Sequence, residues 1–424
     1  MKKLEKVHAR DKVWLQDSPT NLMVINSVIS TDKLDIERFI EEFRVRILEA
    51  DGGERYERFR YRVVQIGGTW YWQEDENFDL RRHIVVNDDS RLRSKEGLQD
   101  YMGEQASLPL PDDRPRWQVQ VVPDFGDGGT ALFIRVHHVM GDGISMVPVL
   151  FQLMDSEPEA NPQVKTRGTA GSLWKVGALA SVIGGPFLLA RAVERADRSL
   201  VHGRELSGRK KVAWTQPLDL SKVKDIKNRL GATVNDILMT CVAGAFRRYA
   251  ARHPGEKLGR VRVSMPVNIR PPQEEPKMEN KFAAVMFDLP VELPDLPSRL
   301  AETKRRMDAL KRSVEPMIYY GAVNLLVPLL GFRASRWLIN FYAQKCTAVL
   351  SNVPGPQTPL WLAGSRMRAM LFWVPQRANI GLGISILSFA GEVRVGVFAD
   401  VEILSEPSHL IAEIEAELAH FDEH

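Results

Sequence analysis

The sequence predicts a mixed α/β protein of two domains, and three observations carry that expectation. At 424 residues the chain is long for one core and comfortable for two of about 200 residues each. Its apolar residues switch repeatedly between strand-like alternation and stripes at helical spacing. The predicted strands and helices also mix without strict alternation, which points to α/β sandwiches and not to a doubly wound parallel sheet. With 44% hydrophobic and 26% charged residues, the core needs neither metal nor disulfides to fold.

In the first half, residues 22–29 read as a strand and 34–48 as a helix. Residues 59–64 and 70–72 read as further strands, separated by Gly67-Gly68. A Pro- and Asp-rich loop over 109–115 precedes an alternating apolar run at 117–122. The turn cluster 124–129 joins that run to the strand 131–136 as a hairpin. The next helix is expected from Ser145, which would place Pro148 in its first turn. Residues 155–171 are polar and contain Pro158 and Pro162, as a linker would. In the second half, 211–214 reads as a strand, and 220–230 and 233–251 as helices. Thr233 and Asp236 are spaced as a capping box at the start of the second helix. Strands are expected at 260–265, 283–289, 347–352, 367–373, 383–388 and 392–399, and a closing helix at 405–421.

The charges nearly cancel: 57 basic and 54 acidic residues leave a net +3, without the basic excess of a nucleic-acid protein. Cys241 and Cys346 lie far apart in apolar surroundings and read as core residues in a reducing compartment. No spacing of ligand residues suggests a metal. Met1 to Lys6 is basic, but Arg10, Asp11, Lys12, Gln16 and Asp17 follow where a signal peptide would be apolar, so a cytoplasmic protein is expected. Residues 176–190 and 317–332 are uncharged for 15 and 16 residues, short of the roughly 20 that span a bilayer. They read as core helices, or as apolar faces with basic flanks resting on a membrane or lipid droplet.

The most informative stretch is His137-His138-Val139-Met140-Gly141-Asp142-Gly143, at the end of the apolar run from Ala131 to Val136. Along a strand the two imidazoles point to opposite faces, so only one can serve a given pocket. His138, beside the Gly-Asp-Gly turn, is the candidate general base, because imidazole titrates near neutrality. The plainer reading is a buried, hydrogen-bonded histidine pair. Asn235, in the first turn of the helix over 233–251, sits where free N–H groups and the helix dipole favour negative charge; it is also an ordinary residue for a helix start.

The His-His-x-x-x-Asp-Gly spacing resembles the signature of CoA- and carrier-dependent acyltransferases, among them chloramphenicol acetyltransferase and peptide-synthetase condensation domains. Further blocks, in order, resemble the bacterial wax ester synthase/diacylglycerol acyltransferases. They are Ser18 to Ile25, Phe59 to Val64, Phe78-Asp79-Leu80 with His83, and Leu108 to Pro111 with Arg114-Pro115-Arg116-Trp117. The second half adds Val234-Asn235-Asp236, Met265 to Pro271, Ser351 to Pro356, Leu362-Ala363-Gly364 and Ile384 to Glu392. Two departures stand out. Arg116 replaces the leucine of a Pro-Leu-Trp block, and the family's Gly-Asn-Arg-Phe-Gly element reads Glu279-Asn280-Lys281-Phe282-Ala283.

The resemblance implies two chloramphenicol-acetyltransferase-like α/β sandwich domains with the active site in a tunnel between them. The divisions expected are 1–155 for the domain carrying the histidines, 156–204 for a linker with an apolar segment, and 205–424 for the second domain. It further implies acyl transfer from a long-chain acyl-CoA to a fatty alcohol or diacylglycerol, with acyl-CoA as co-substrate and no bound cofactor. His138 would be the base and Asn235 the oxyanion donor. Asp142 would be structural, turned away from His138 to pair with Arg270; His137 would be packed, and Gly143 would allow close backbone approach. A carrier-protein donor, another acceptor, or a non-catalytic lipid-binding role stays open.

Overall fold

The computed structural model describes residues 4–155, 193–194, 196, 199–271 and 277–422. The expected apolar segment 176–190 and most of the expected linker lie outside the described residues.

Two large sheets carry the fold. The first has six strands in the order Trp361–Leu362, Ser365–Trp373, Val24–Thr31, Gly129–His137, Trp117–Phe125, Ile84–Val86. Val24 to Thr31 is paired antiparallel to Gly129–His137 over its full length, from Val24 opposite His137 to Thr31 opposite Thr130. The second sheet runs Phe282–Leu289, Val261–Asn268, Ala348–Pro354, Leu382–Phe389, Glu392–Asp400, Lys210–Trp214, with Leu218–Asp219 also pairing the Glu392–Asp400 strand. Its three middle strands, Val261–Asn268, Ala348–Pro354 and Leu382–Phe389, pair in parallel. A small sheet of Leu4–Lys6, Thr69–Glu74 and Tyr61–Ile66 stands beside the first.

One strand crosses the expected division at 205. Ser365–Trp373 belongs by position to the second half, yet it pairs antiparallel with Val24–Thr31 and extends the first sheet. An uncovered Val24–Thr31 edge would leave a row of backbone groups without partners, and the return of the chain from the second lobe satisfies them. The lobes are also joined by buried polar contacts. Lys210 Nζ donates to Asn21 Oδ1 at 2.8 Å and lies 3.3 Å from Asp400, while the Asn21 amide donates to the carbonyls of Ala378 and Ile380. Trp373 fills the seam between the sheets, against Trp214 and over Gly396, where a Cβ would sit 2.5 Å from the indole Nε1.

Several helices start where short polar residues cap them. Thr233 and Asp236 form the capping box of the helix Val234–Ala251, whose apolar stripe is buried in the second lobe. The helix after the histidines is Gly143–Leu153, two residues earlier than the expected start at Ser145. Asp142 sets that start: its carboxylate accepts the Ser145 N–H at 2.8 Å, which leaves Pro148 inside the helix. The apolar run 317–332 falls within Glu315–Ala343, two helical stretches that include Pro328 and meet at a kink at Gly331, where φ is 71°.

Candidate active site

The strand Gly129–His137 ends at His137, and His138 opens a short 3₁₀ turn, His138–Met140. The two imidazoles therefore part company through a change of backbone, not through strand alternation alone. Backbone bonds anchor both: His137 N–H to the Arg116 carbonyl at 2.9 Å and His138 N–H to that of Met23 at 2.7 Å. The His137 ring accepts the Val139 N–H on Nδ1 and sets Nε2 3.0 Å from Asp17. Burial lowers its pKa and Asp17 only partly offsets this. Arg116, the departure from the Pro-Leu-Trp block, brings its guanidinium to 3.8 Å from the same Asp17.

His138 is 4% exposed, and its contacts come from two distant stretches. Trp14 stacks on the ring with centroids 3.7 Å apart and planes 13° apart, and Phe282 stands at 5.8 Å. Arg377 lies over the same Trp14 indole, its Cζ 5.7 Å from the ring centroid. His138 Nδ1 is 2.7 Å from Asn280 Oδ1, and Asn280 Nδ2 reaches back to the His138 carbonyl at 2.8 Å. Asn280 is tied in turn to the fully buried Asp11, through its Nδ2 and its backbone N–H, both at 3.0 Å. Arg58 completes the set, 2.9 Å from Asp11 and donating to the carbonyls of Val139 and Met140. Burial pushes the His138 pKa down to about 4, against the opposing pull of Asp142 and Asn280.

Asp142 is turned to the second lobe. Arg270 Nη2 is 2.9 Å from its Oδ2, and the Lys281 backbone N–H donates to the same oxygen at 2.8 Å. Arg270 also donates to the carbonyls of Glu279 and Lys281, so it holds the approach to the strand Phe282–Leu289. Gly143 has no atom within 4 Å of a built Cβ; the crowded glycine is Gly141, where a Cβ would lie 2.3 Å from Ser145 Oγ. Among the described residues no close backbone approach is seen at Gly143.

Asn235 lies in the first turn of Val234–Ala251, where its Oδ1 accepts from Asn352 Nδ2 at 2.9 Å. Among the described residues it makes no hydrogen bond to His138. Sequence reasoning missed Asp11, Trp14, Arg58 and the placement of Asn280. One signal was available: of the altered block 279–283, only Asn280 and Phe282 keep the family's residues, and these two are the ones that touch His138. A cavity of about 380 Å³ opens on the His137 side, lined by Asp17, Leu22, Val24 and Arg116 among others. A larger one of about 720 Å³, beside Met286 to Leu289, is lined by none of the motif residues.

This two-lobed fold is shared with other solved structures. The first condensation domain of the calcium-dependent antibiotic synthetase superposes with a TM-score of 0.63 at 16% identity, covering 99% of this chain and 95% of that one. The wax ester synthase/diacylglycerol acyltransferase of Marinobacter aquaeolei superposes with a TM-score of 0.72 at 20% identity, over 99% and 98% of the two chains. In sequence, the wax ester synthase/diacylglycerol acyltransferase catalytic domain matches residues 12–238, and the WS/DGAT C-terminal domain matches 278–421. The chain belongs to this family and is an acyltransferase. A Mycobacterium tuberculosis protein named as a diacylglycerol O-acyltransferase is 27% identical over 367 residues, 79% of this chain and 73% of that protein.

Two predictions follow from the geometry. Removing either member of the buried Asp142–Arg270 pair, as Asp142→Ala or Arg270→Met, is expected to cost about 3–5 kcal/mol. Because each loss already strands the other's charge, the double variant should cost well below the sum when denaturant unfolding is measured. The low pKa of His138 also sets a sign. The folded protein releases this proton near 4 and the unfolded chain near 6.5, so between these values the unfolded state holds more protons. Stability should therefore fall as pH drops from 6.5 toward 4, while the acid limb of kcat/KM for the free enzyme should lie well below 6.5.

Proposed function

We propose that this acyltransferase moves a long-chain acyl group from acyl-CoA to a fatty alcohol or to diacylglycerol, with His138 as the general base. The observation that carries the reading is the buried His138 ring, whose Nδ1 is engaged by Asn280 while Nε2 has no hydrogen-bond partner among the described residues.

An alcohol is a poor nucleophile until its proton leaves. His138 Nε2 accepts that proton as the oxygen attacks the thioester carbonyl. Collapse of the tetrahedral adduct breaks the C–S bond, and the proton passes from His138 to the departing CoA sulfur, giving ester and free thiol. No covalent enzyme intermediate is needed; holding both substrates against one base supplies the proximity. A ring this dry is a weak base at rest, so proton transfer is favoured only as negative charge develops on the substrate beside it. The Trp14 face stacked on the imidazole stabilises the cation that forms. Asn235 is the proposed oxyanion donor: its bond from Asn352 engages Oδ1 and leaves the Nδ2 protons to donate. Asp142 with Arg270, and His137 with Asp17, hold the turn in place and take no part in the proton transfer.

The second part of the reading is peripheral attachment to the cytoplasmic face of a membrane or to a lipid droplet, through the helix Glu315–Ala343. Leu329 is 72% and Trp337 67% exposed, with Leu325 and Leu330 beside them, and Arg333 is exposed at the break. Apolar side chains next to basic ones suit an interface with anionic headgroups.

Purified protein given palmitoyl-CoA with hexadecanol or dioleoylglycerol is expected to form neutral lipid on thin-layer plates. A folded His138→Ala should lose on the order of 10²–10⁴-fold in rate, and Asn235→Ala about 10²–10³-fold. His137→Ala should retain much more activity than His138→Ala; equal losses would overturn the assignment of the base. In vesicle flotation, the protein should rise with phosphatidylglycerol-containing liposomes, and Leu329→Asp with Trp337→Asp should leave it at the bottom. Unchanged flotation of that double variant would remove the helix from the attachment.

A further inference from the structure

Three contacts fix the orientation of the Asn280 amide. One side of it lies 3.0 Å from Asp11 Oδ1 and 2.8 Å from the His138 carbonyl oxygen, and both of those atoms can only accept. That side must be the NH₂ group, and both of its protons are then used. The amide oxygen consequently faces His138 Nδ1 at 2.7 Å. An amide oxygen only accepts, so the hydrogen between them belongs to the ring. Turning the amide over would set its oxygen against a carboxylate and a carbonyl together, which the short distances forbid. A neutral imidazole carries one proton, and with that proton on Nδ1 the lone pair is on Nε2.

We propose that Asn280, itself held by Asp11, is the positioning residue that fixes the tautomer and ring orientation of His138 and so makes Nε2 the basic nitrogen. The proposal rests on the reading of His138 as the base, and deepens it by naming what aims that base.

The arrangement differs from a carboxylate laid directly on the ring. A negative charge on Nδ1 would stabilise the imidazolium and hold the proton after transfer. Here a neutral amide stands between ring and carboxylate, so orientation is imposed without a full charge on the imidazole. The Asp11 charge is met by Arg58 at 2.9 Å. Other charged or titratable groups near His138 include Asp142, paired with Arg270, His137, and Arg377 over the Trp14 ring; beside Asn280 stands Glu279, paired with Arg10 at 2.5 Å. Arg58 also binds the carbonyls of Val139 and Met140, so one buried ion pair grips both the amide and the turn that carries the histidine.

Nitrogen-15 NMR of histidine-labelled full-length protein reads the tautomer directly, with the His138 signals identified by their loss in His138→Ala. The wild type should show Nδ1 protonated and Nε2 bare at neutral pH; the reverse would overturn the proposal without any variant that must fold. Asn280→Ala should mix the tautomers and lower kcat about 10–100-fold, as loss of an orienting partner does elsewhere, with KM within about twofold. If Asn280→Ala keeps the tautomer and the rate, Asn280 only fills space. A folded His138→Ala that remains active would sink the base instead, while the NMR result would still decide the tautomer.

Discussion

The carboxylate of Asp142 holds the two halves of the chain in register, and the geometry of the site depends on it. One oxygen caps the helix Gly143–Leu153 and the other receives both the Arg270 guanidinium and the Lys281 N–H. A buried ion pair is a poor source of stability, because desolvation of the two charges offsets most of their attraction. Apolar side chains of equal volume would hold the lobes together as well. They would not decide where residues 279–282 lie along the turn, and that position determines whether Asn280 reaches His138 Nδ1. Directed bonds to a backbone N–H and a guanidinium restrict sliding in a way that packing does not. The pair is better understood as fixing placement than as supplying energy.

Placement matters because the site is dry. Burial that lowers the proton affinity of His138 also strengthens every charge and dipole around it, so a misaimed donor is as costly as a well-aimed one is useful. The neighbours are arranged accordingly: full charges are paired off at one remove, in Asp11 with Arg58 and Asp142 with Arg270, and the groups touching the ring are a neutral amide and two aromatic faces. The groups in direct contact with the imidazole carry no net charge, and burial is what keeps the resting ring neutral.

Much of the fold was legible from the sequence, because strand alternation, helical stripes and capping residues act over a few residues. The capping box at Thr233 and Asp236 is present, and the strands 283–289 and 392–399 differ from Phe282–Leu289 and Glu392–Asp400 by one residue each. The pairing of Ser365–Trp373 with Val24–Thr31 was not legible, since an edge strand carries no mark of which distant edge it covers. The site divides in the same way. Seven consecutive residues announced the histidines and the turn, whereas Asn280 is 142 positions from His138 and adjoins it only through the lobe contact. Asp11, Trp14 and Asp17 were hidden more thoroughly. They lie in a stretch whose charged residues told only against a signal peptide, and no periodicity separates a buried aspartate from an exposed one. The helix Gly143–Leu153 starts two residues before Ser145 because the cap bond from Asp142 to Ser145 outweighs the one N–H that Pro148 lacks.

That neglected stretch is what connects the chemistry to the surface. Asp11 holds Asn280, Trp14 stacks on His138, and Asp17 binds His137, so residues 11–17 supply a partner to each element of the histidine pair. The same residues pack against the inner side of the helix Glu315–Ala343: Lys12 Nζ lies 5.7 Å from the Phe332 ring centroid, and Arg336 donates to the Asp17 carbonyl. Arg377 ties the two together, bonding both the Val13 carbonyl and Asn340. The stretch that turns Leu329 and Trp337 outward therefore packs on the residues that contact His138. Its break falls at Gly331, where φ is 71°, between Leu330 and Phe332, that is, between an outward and an inward contact. A β-carbon at that φ would be strained, so glycine there lets two helical stretches meet at a kink, with Leu329 and Trp337 turned outward and Phe332 and Arg336 packed on residues 11–17. An apolar exterior and a buried imidazole are in this way built on opposite sides of one short peptide.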